Sequence, residues 1–140
     1  MSPGTIRVAV VHADAAQRDA LADFISDAIG FKVVGGSSEG EEALQFVRTA
    51  PVNVVVVDLE SLGDQAAAWI ATARAESPAA GILLLVHAQP AAVLQDLMQR
   101  GAAGYVEISR INTDLVAALR TVGMGRRYLP QSGAATQLEA

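Results

Sequence analysis

NVVVVDLESLG, residues 53–63, is the stretch that decides the fold. Its four consecutive valines leave no polar face, so a strand built from them must be buried on both sides. Parallel sheets covered by helices on each face impose that burial. The run ends on Asp58, and an acid at the end of a buried strand marks where the sheet meets solvent or a ligand.

Working outward, comparable runs lie on both sides: IRVAVV at 6–11, KVV at 32–34, ILLLV at 82–86 and a weaker GYVEI at 104–108. Helical spacing fills the intervals. Leu21, Phe24, Ile25 and Ala28 recur at i, i+3, i+4 and i+7, and Ala43, Leu44 and Val47 follow the same rule. An alanine-rich third segment, 65–75, is anchored by Trp69 and Ile70. Val93, Leu94, Leu97 and Met98 make a fourth, and Leu115, Val116, Leu119 and Val122 a fifth, with Asn112 as its expected N-cap. Glu39, Glu41 and Glu42 open the second segment, where acids suit a helix N-terminus. Gly30, the Gly35–Gly36 pair, Pro51, Pro78, Gly81, Gly101 and Gly104 fall at the expected element boundaries. Strands and helices that alternate in this way imply βαβ units with right-handed crossovers.

Composition narrows the function. The chain has 140 residues, 51% of them hydrophobic, which suits one domain with one substantial core. A net charge of −5 and a sequence pI of about 4.8 argue against direct nucleic-acid contact. No cysteine is present, so disulfides and thiolate metal sites are excluded. No apolar run approaches the ~18 residues of a membrane span, and no signal-peptide pattern opens the chain. A cytoplasmic protein without membrane contact is the expectation. The pattern of elements ends after Val122; residues 126–129 form a last docking segment and 131–140 read as tail or linker. The division is therefore 1–125 for the domain and 126–140 beyond it.

Open parallel sheets bind ligands beyond the carboxyl ends of their strands. The residues there are His12, Ala13 and Asp14 after the first strand, Asp58, Leu59 and Glu60 after the third, His87 and Ala88 after the fourth, and Glu107, Ile108 and Ser109 at the fifth. His12, Asp58 and His87 are expected to converge in one cleft. Two imidazoles and a carboxylate match the ligand set of a zinc or facial-triad site, although histidine at a strand end also serves simply to hydrogen-bond its loop.

The stretches IRVAVVHAD, VVGGSSEGEEAL, NVVVVDLESLG, GAAGYVEI and GRRYLP fall in order over residues 6–130. In that order and spacing the chain resembles the receiver domain of two-component response regulators, in the NarL/FixJ-like branch. The resemblance implies a flavodoxin-like, doubly wound sheet of five parallel strands in the order 2-1-3-4-5, with five helices. It also implies phosphoryl chemistry at the aspartate ending strand three, matched by Asp58, and a switch aromatic, matched by Tyr105.

The rest of the implied site is degenerate. Where a receiver places two acids that help hold Mg²⁺, this chain has His12 and Ala13. The hydroxyl position is Val86 by the register of the fourth helix, or His87 if the loop is one residue shorter. The lysine position is Ile108, and the only lysine, Lys32, opens strand two. Leu62 stands where a proline is usual, while Gly63 is kept. Asp58, Asp14, His12 and His87 remain weak metal candidates, so no cofactor is expected beyond weakly held Mg²⁺.

Catalysis of phosphoryl transfer is positioning and charge stabilisation, and the lost lysine and hydroxyl supplied both. The expectation is a pseudo-receiver, not an enzyme, that works through phosphorylation-independent contacts with a protein partner or a second copy. Helix four, strand five and helix five are the surface that the resemblance implies for such contacts. GRRYLP resembles the lead-in to a helix-turn-helix output domain, so the chain reads as the regulatory N-terminal part of a transcription regulator. The alternative is a true phosphoacceptor at Asp58.

Overall fold

A computed structural model of the chain describes residues 4–129. Five strands, β1 (Ile6–Val11), β2 (Phe31–Ser37), β3 (Val54–Asp58), β4 (Gly81–Val86) and β5 (Gly104–Glu107), alternate with five helices. The helices are α1 (Ala15–Ser26), α2 (Gly40–Thr49), α3 (Ala66–Glu76), α4 (Ala91–Arg100) and α5 (Ile111–Gly123). Short helical turns at Leu59–Leu62 and Gly63–Gln65 join β3 to α3, and a third at Ile108–Arg110 leads into α5. Every strand pairing is parallel, in the order β2-β1-β3-β4-β5. This is the flavodoxin-like doubly wound sheet that the sequence predicts.

Strand alternation sorts the core into two layers. Val55, Val57, Ile82, Leu84 and Val86 pack under α2, α3 and α4, against Leu44, Val47, Trp69, Ile70 and Leu97. Val54, Val56, Leu83, Leu85 and Val106 face the other way, against Leu21 and Ile25 of α1 and Leu115, Leu119 and Val122 of α5. β3 is central and covered twice, which is why valine suits every one of its apolar positions. Trp69 is buried, as expected of an anchor, and its Nε1 donates to the carbonyl of Gly40 at 2.7 Å.

Two boundaries differ from expectation. Gly35 and Gly36 lie inside β2 rather than beyond it. The tip of the Phe46 ring lies against Gly35, and a Cβ there would sit 2.6 Å from Phe46 Cζ. The glycine is thus a packing surface, and the register slips by one residue beside it, from Val8↔Val33 to Ala9↔Gly35. At the other difference, α5 begins at Ile111 and Asn112 is not its cap. The preceding turn runs directly into the helix, and the Arg110 guanidinium reaches forward to Asp114 at 3.0 Å.

After α5 the chain folds back on the sheet. Tyr128 pairs in parallel with Gly104, its N–H donates to the Ala103 carbonyl at 2.8 Å, and the Arg127 guanidinium donates to the Met98 carbonyl at 3.0 Å. The segment expected as tail or linker from 131 onward lies outside the described residues. Among those described, no helix is long and apolar enough to cross a membrane.

Candidate functional site

Strand order reverses between β1 and β3, so the loops leaving these two neighbours open a crevice at the carboxyl end of the sheet. Asp58 ends β3 at that end of the sheet and is only 5% exposed. A carboxylate so deep needs hydrogen-bond partners. Ser61, one turn further on, supplies one: its Oγ donates to Asp58 Oδ2 at 2.7 Å. The same hydroxyl oxygen accepts the N–H of Ala13 at 2.9 Å, which ties the loop after β1 to the turn after β3.

His12 follows β1, and its Nε2 stands 3.7 Å from the same Asp58 oxygen. Its other ring nitrogen, Nδ1, accepts the N–H of Asp14 at 3.1 Å. A nitrogen that accepts carries no proton, so the neutral form of the ring has its hydrogen on Nε2, toward Asp58. Asp14 caps α1, where its Oδ1 accepts the Gln17 N–H at 3.0 Å. Arg18 reaches back from α1 to the His12 carbonyl at 2.8 Å. The loop after β1 is thus held at its backbone, its ring and its cap.

The expected convergence of His12, Asp58 and His87 does not occur. His87 turns to Glu60, with Nε2 3.6 Å from Oε1, and both side chains are largely exposed. Asp14 is engaged at its helix. Among the described residues no three of His, Cys, Asp and Glu come together around a common point. The metal candidates therefore do not gather around one point: His12 faces Asp58, Asp14 caps α1, and His87 turns away to Glu60. Mg²⁺ prefers oxygen ligands, with one or two carboxylates among them. Here one carboxylate oxygen already holds a hydroxyl and faces an imidazole, and Ala13 offers only an amide. This donor set does not fit Mg²⁺.

No family model matches the chain. The response regulator UvrY of Escherichia coli K12 is 36% identical over 116 residues, covering 80% of this chain and 51% of that protein. A two-component response regulator of the LuxR family from Aurantimonas superposes with a TM-score of 0.86 at 26% identity, over 97% of this chain and 96% of that one. The domain is a response-regulator receiver. The isolated receiver domain of RcsB from Salmonella enterica, 20% identical over 97% of this chain and 100% of its own, shares the fold with a TM-score of 0.85. The chain spans about half the length of the UvrY proteins that it matches.

The remaining predicted positions of this receiver are apolar or half-buried. β4 ends at Val86, which is buried and paired with Glu107 of β5, and His87 starts the following loop. Ile108 follows β5 and packs against the core on the α1 and α5 side. Tyr105 lies half-buried on the opposite face, against the layer under α2, α3 and α4. Burial raises its phenol above the ordinary value, and the charge of Glu107 adds to the rise. Lys32 pairs in register with Arg7, at the far end of the sheet from Asp58. Ser61 is the residue that the sequence reading missed. Its only signal is the D-x-x-S spacing at the start of a helical turn, which puts a hydroxyl over a strand-end carboxylate.

Proposed function

We propose that this receiver works without phosphorylation, as a constitutively shaped module for protein–protein contact. The observation that carries the reading is the occupation of Asp58: one oxygen accepts the Ser61 hydroxyl and faces His12 Nε2. The apolar Val86 and Ile108, at the places where the family resemblance implies a hydroxyl and a lysine, support it further. Each donor missing from such a site costs on the order of 2.7–4 kcal/mol of transition-state stabilisation. Two such losses, together with a donor set unsuited to Mg²⁺, leave phosphoryl transfer to Asp58 too slow to be the switch.

The contact surface in this reading is α4, β5 and α5, where Val93 is exposed and Tyr105 half-buried. Its partner is another protein or a second copy of the chain. The relatives are about twice as long, and we read this domain as the regulatory part of a helix-turn-helix transcription regulator. Fifteen acids against ten basic residues disfavour any nucleic-acid role for the domain itself.

The test uses the single tryptophan, Trp69, buried on the helix that follows Asp58. Beryllofluoride with millimolar Mg²⁺ should leave its fluorescence unchanged. A saturable change, abolished by Asp58→Asn, would overturn the proposal and establish the alternative, a true phosphoacceptor.

A further inference from the structure

At the opposite end of the sheet from Asp58, where β4 and β5 begin, lies a cavity of about 490 Å³. Its size is within the range of small-molecule sites. Arg74, Arg126 and Arg127 line it, and no carboxylate does so among the described residues. That is unusual for a chain with fifteen acids and ten basic residues. Arg48, Arg100 and Arg110 each pair with an acid; the three cavity arginines make no ion pair among the described residues.

The walls are shaped for these side chains. Gly101 has φ +132°, and a Cβ there would lie 2.9 Å from both Cβ and Cγ of Arg74, so glycine alone leaves Arg74 its place. Gly81 admits Val122, and Gly104 admits the Tyr128 backbone, in the same way, which seats the segment carrying Arg126 and Arg127. Arg74 donates to the Pro78 carbonyl at 2.9 Å and Arg127 to the Met98 carbonyl at 3.0 Å. Each bond uses one of five guanidinium N–H groups. These anchors position the two heads without exhausting them.

Capping of helix ends does not account for the charge. The C-termini of α3, α4 and α5 open toward this end of the sheet, each worth roughly half a negative charge. Three such ends offset about 1.5 of the three positive charges, which leaves a clear surplus. Arg126 is exposed and makes no side-chain hydrogen bond among the described residues. We infer that this cavity binds a small phosphorylated anion, held by forked hydrogen bonds from Arg126 and from the free N–H groups of Arg74 and Arg127. The site is independent of Asp58 and of whether the receiver is ever phosphorylated.

The experiment is a calorimetric titration of the 140-residue chain with inorganic pyrophosphate, with sodium chloride at matched ionic strength as the blank. Saturable binding is expected, with amide shifts in NMR spectra confined to residues 99–104 and 125–127. Arg126→Gln should weaken binding about tenfold, the scale of a charge-assisted hydrogen bond, without lowering Tm in the absence of pyrophosphate. Arg48→Gln removes the same charge elsewhere and should leave binding unchanged. Four results would each overturn the inference: no binding beyond the chloride blank, binding that Arg126→Gln leaves intact, equal weakening by Arg48→Gln, or amide shifts centred on Asp58.

Discussion

His12 and His87 each place a ring nitrogen beside a carboxylate oxygen, at 3.7 Å from Asp58 and 3.6 Å from Glu60. Distance alone makes the pairs equivalent, and burial separates them. The side chains of the first pair are 16% and 7% exposed, those of the second 51% and 65%. At the exposed pair, water screens the charges and the contact is worth about 1 kcal/mol or less. At the buried pair the carboxylate has lost its water and depends on protein donors, so the third residue, Ser61, matters more than the histidine. Burial, rather than proximity, decides which polar contact organises the site.

The largest expected effect tests this directly. Ser61→Ala removes the hydroxyl from a buried carboxylate and an acceptor from the Ala13 amide. Hydrogen bonds to charged groups contribute about 1.5–3 kcal/mol, and urea denaturation should show a loss of that size. His87→Ala, made at the exposed pair, should stay within about 0.5 kcal/mol of the parent. A Ser61→Ala variant no less stable than His87→Ala would break the comparison.

The same contrast explains what the sequence made legible. Buried strands announce themselves, because valines at 54–57 suit only a sheet covered on both faces. The positions of Asp58, Val86, Tyr105 and Ile108 at or near the strand ends follow from that pattern, whereas the strand order came with the resemblance to receivers. Side-chain direction at a loop does not follow. His87 lies one residue beyond the end of β4, and nothing in its spacing says that it turns to Glu60. Ser61 acts through the geometry of a four-residue helical turn, and D-x-x-S is too common a spacing to single out. Gly35 reads as punctuation until the Phe46 ring is found against it. In each of these cases a local pattern was completed by a partner distant in sequence or by a turn whose geometry the pattern does not specify.

A smaller and sharper difference should appear in the imidazole rings themselves. His12 accepts the Asp14 N–H at Nδ1, so its neutral form is locked with hydrogen on Nε2. His87 has only the exposed Glu60 contact and no such lock. Long-range ¹⁵N–¹H correlation spectra above neutral pH should show a single Nε2–H tautomer for His12 and tautomer averaging for His87. Asp14→Ala keeps the backbone N–H but removes the α1 cap, at a cost of about 1 kcal/mol, and should loosen the His12 preference. Averaged spectra for both rings would show that the buried site holds its histidine no better than the exposed one.

The smallest effect pits burial against charge at a single residue. Tyr105 is half-buried with Glu107 near it, and burial is the larger cause of its raised pKa, the Glu107 charge the smaller. Tyr128 is raised too, by burial first and then by Asp114, while Arg110 opposes the rise. A phenol that titrates higher in the folded state favours the protonated form there. Its contribution to stability is therefore complete below the ordinary phenol value of 10.0 and is lost as pH rises through the raised values. Stability should accordingly decline from about pH 10 upward. Glu107→Gln removes the charge and leaves the burial, so absorbance titration of the phenolate should show Tyr105 moving only part of the way back. A return all the way to the ordinary value would mean that the neighbouring charge governs this residue, and that the lesson of the two histidines does not extend to the partly covered face of β5.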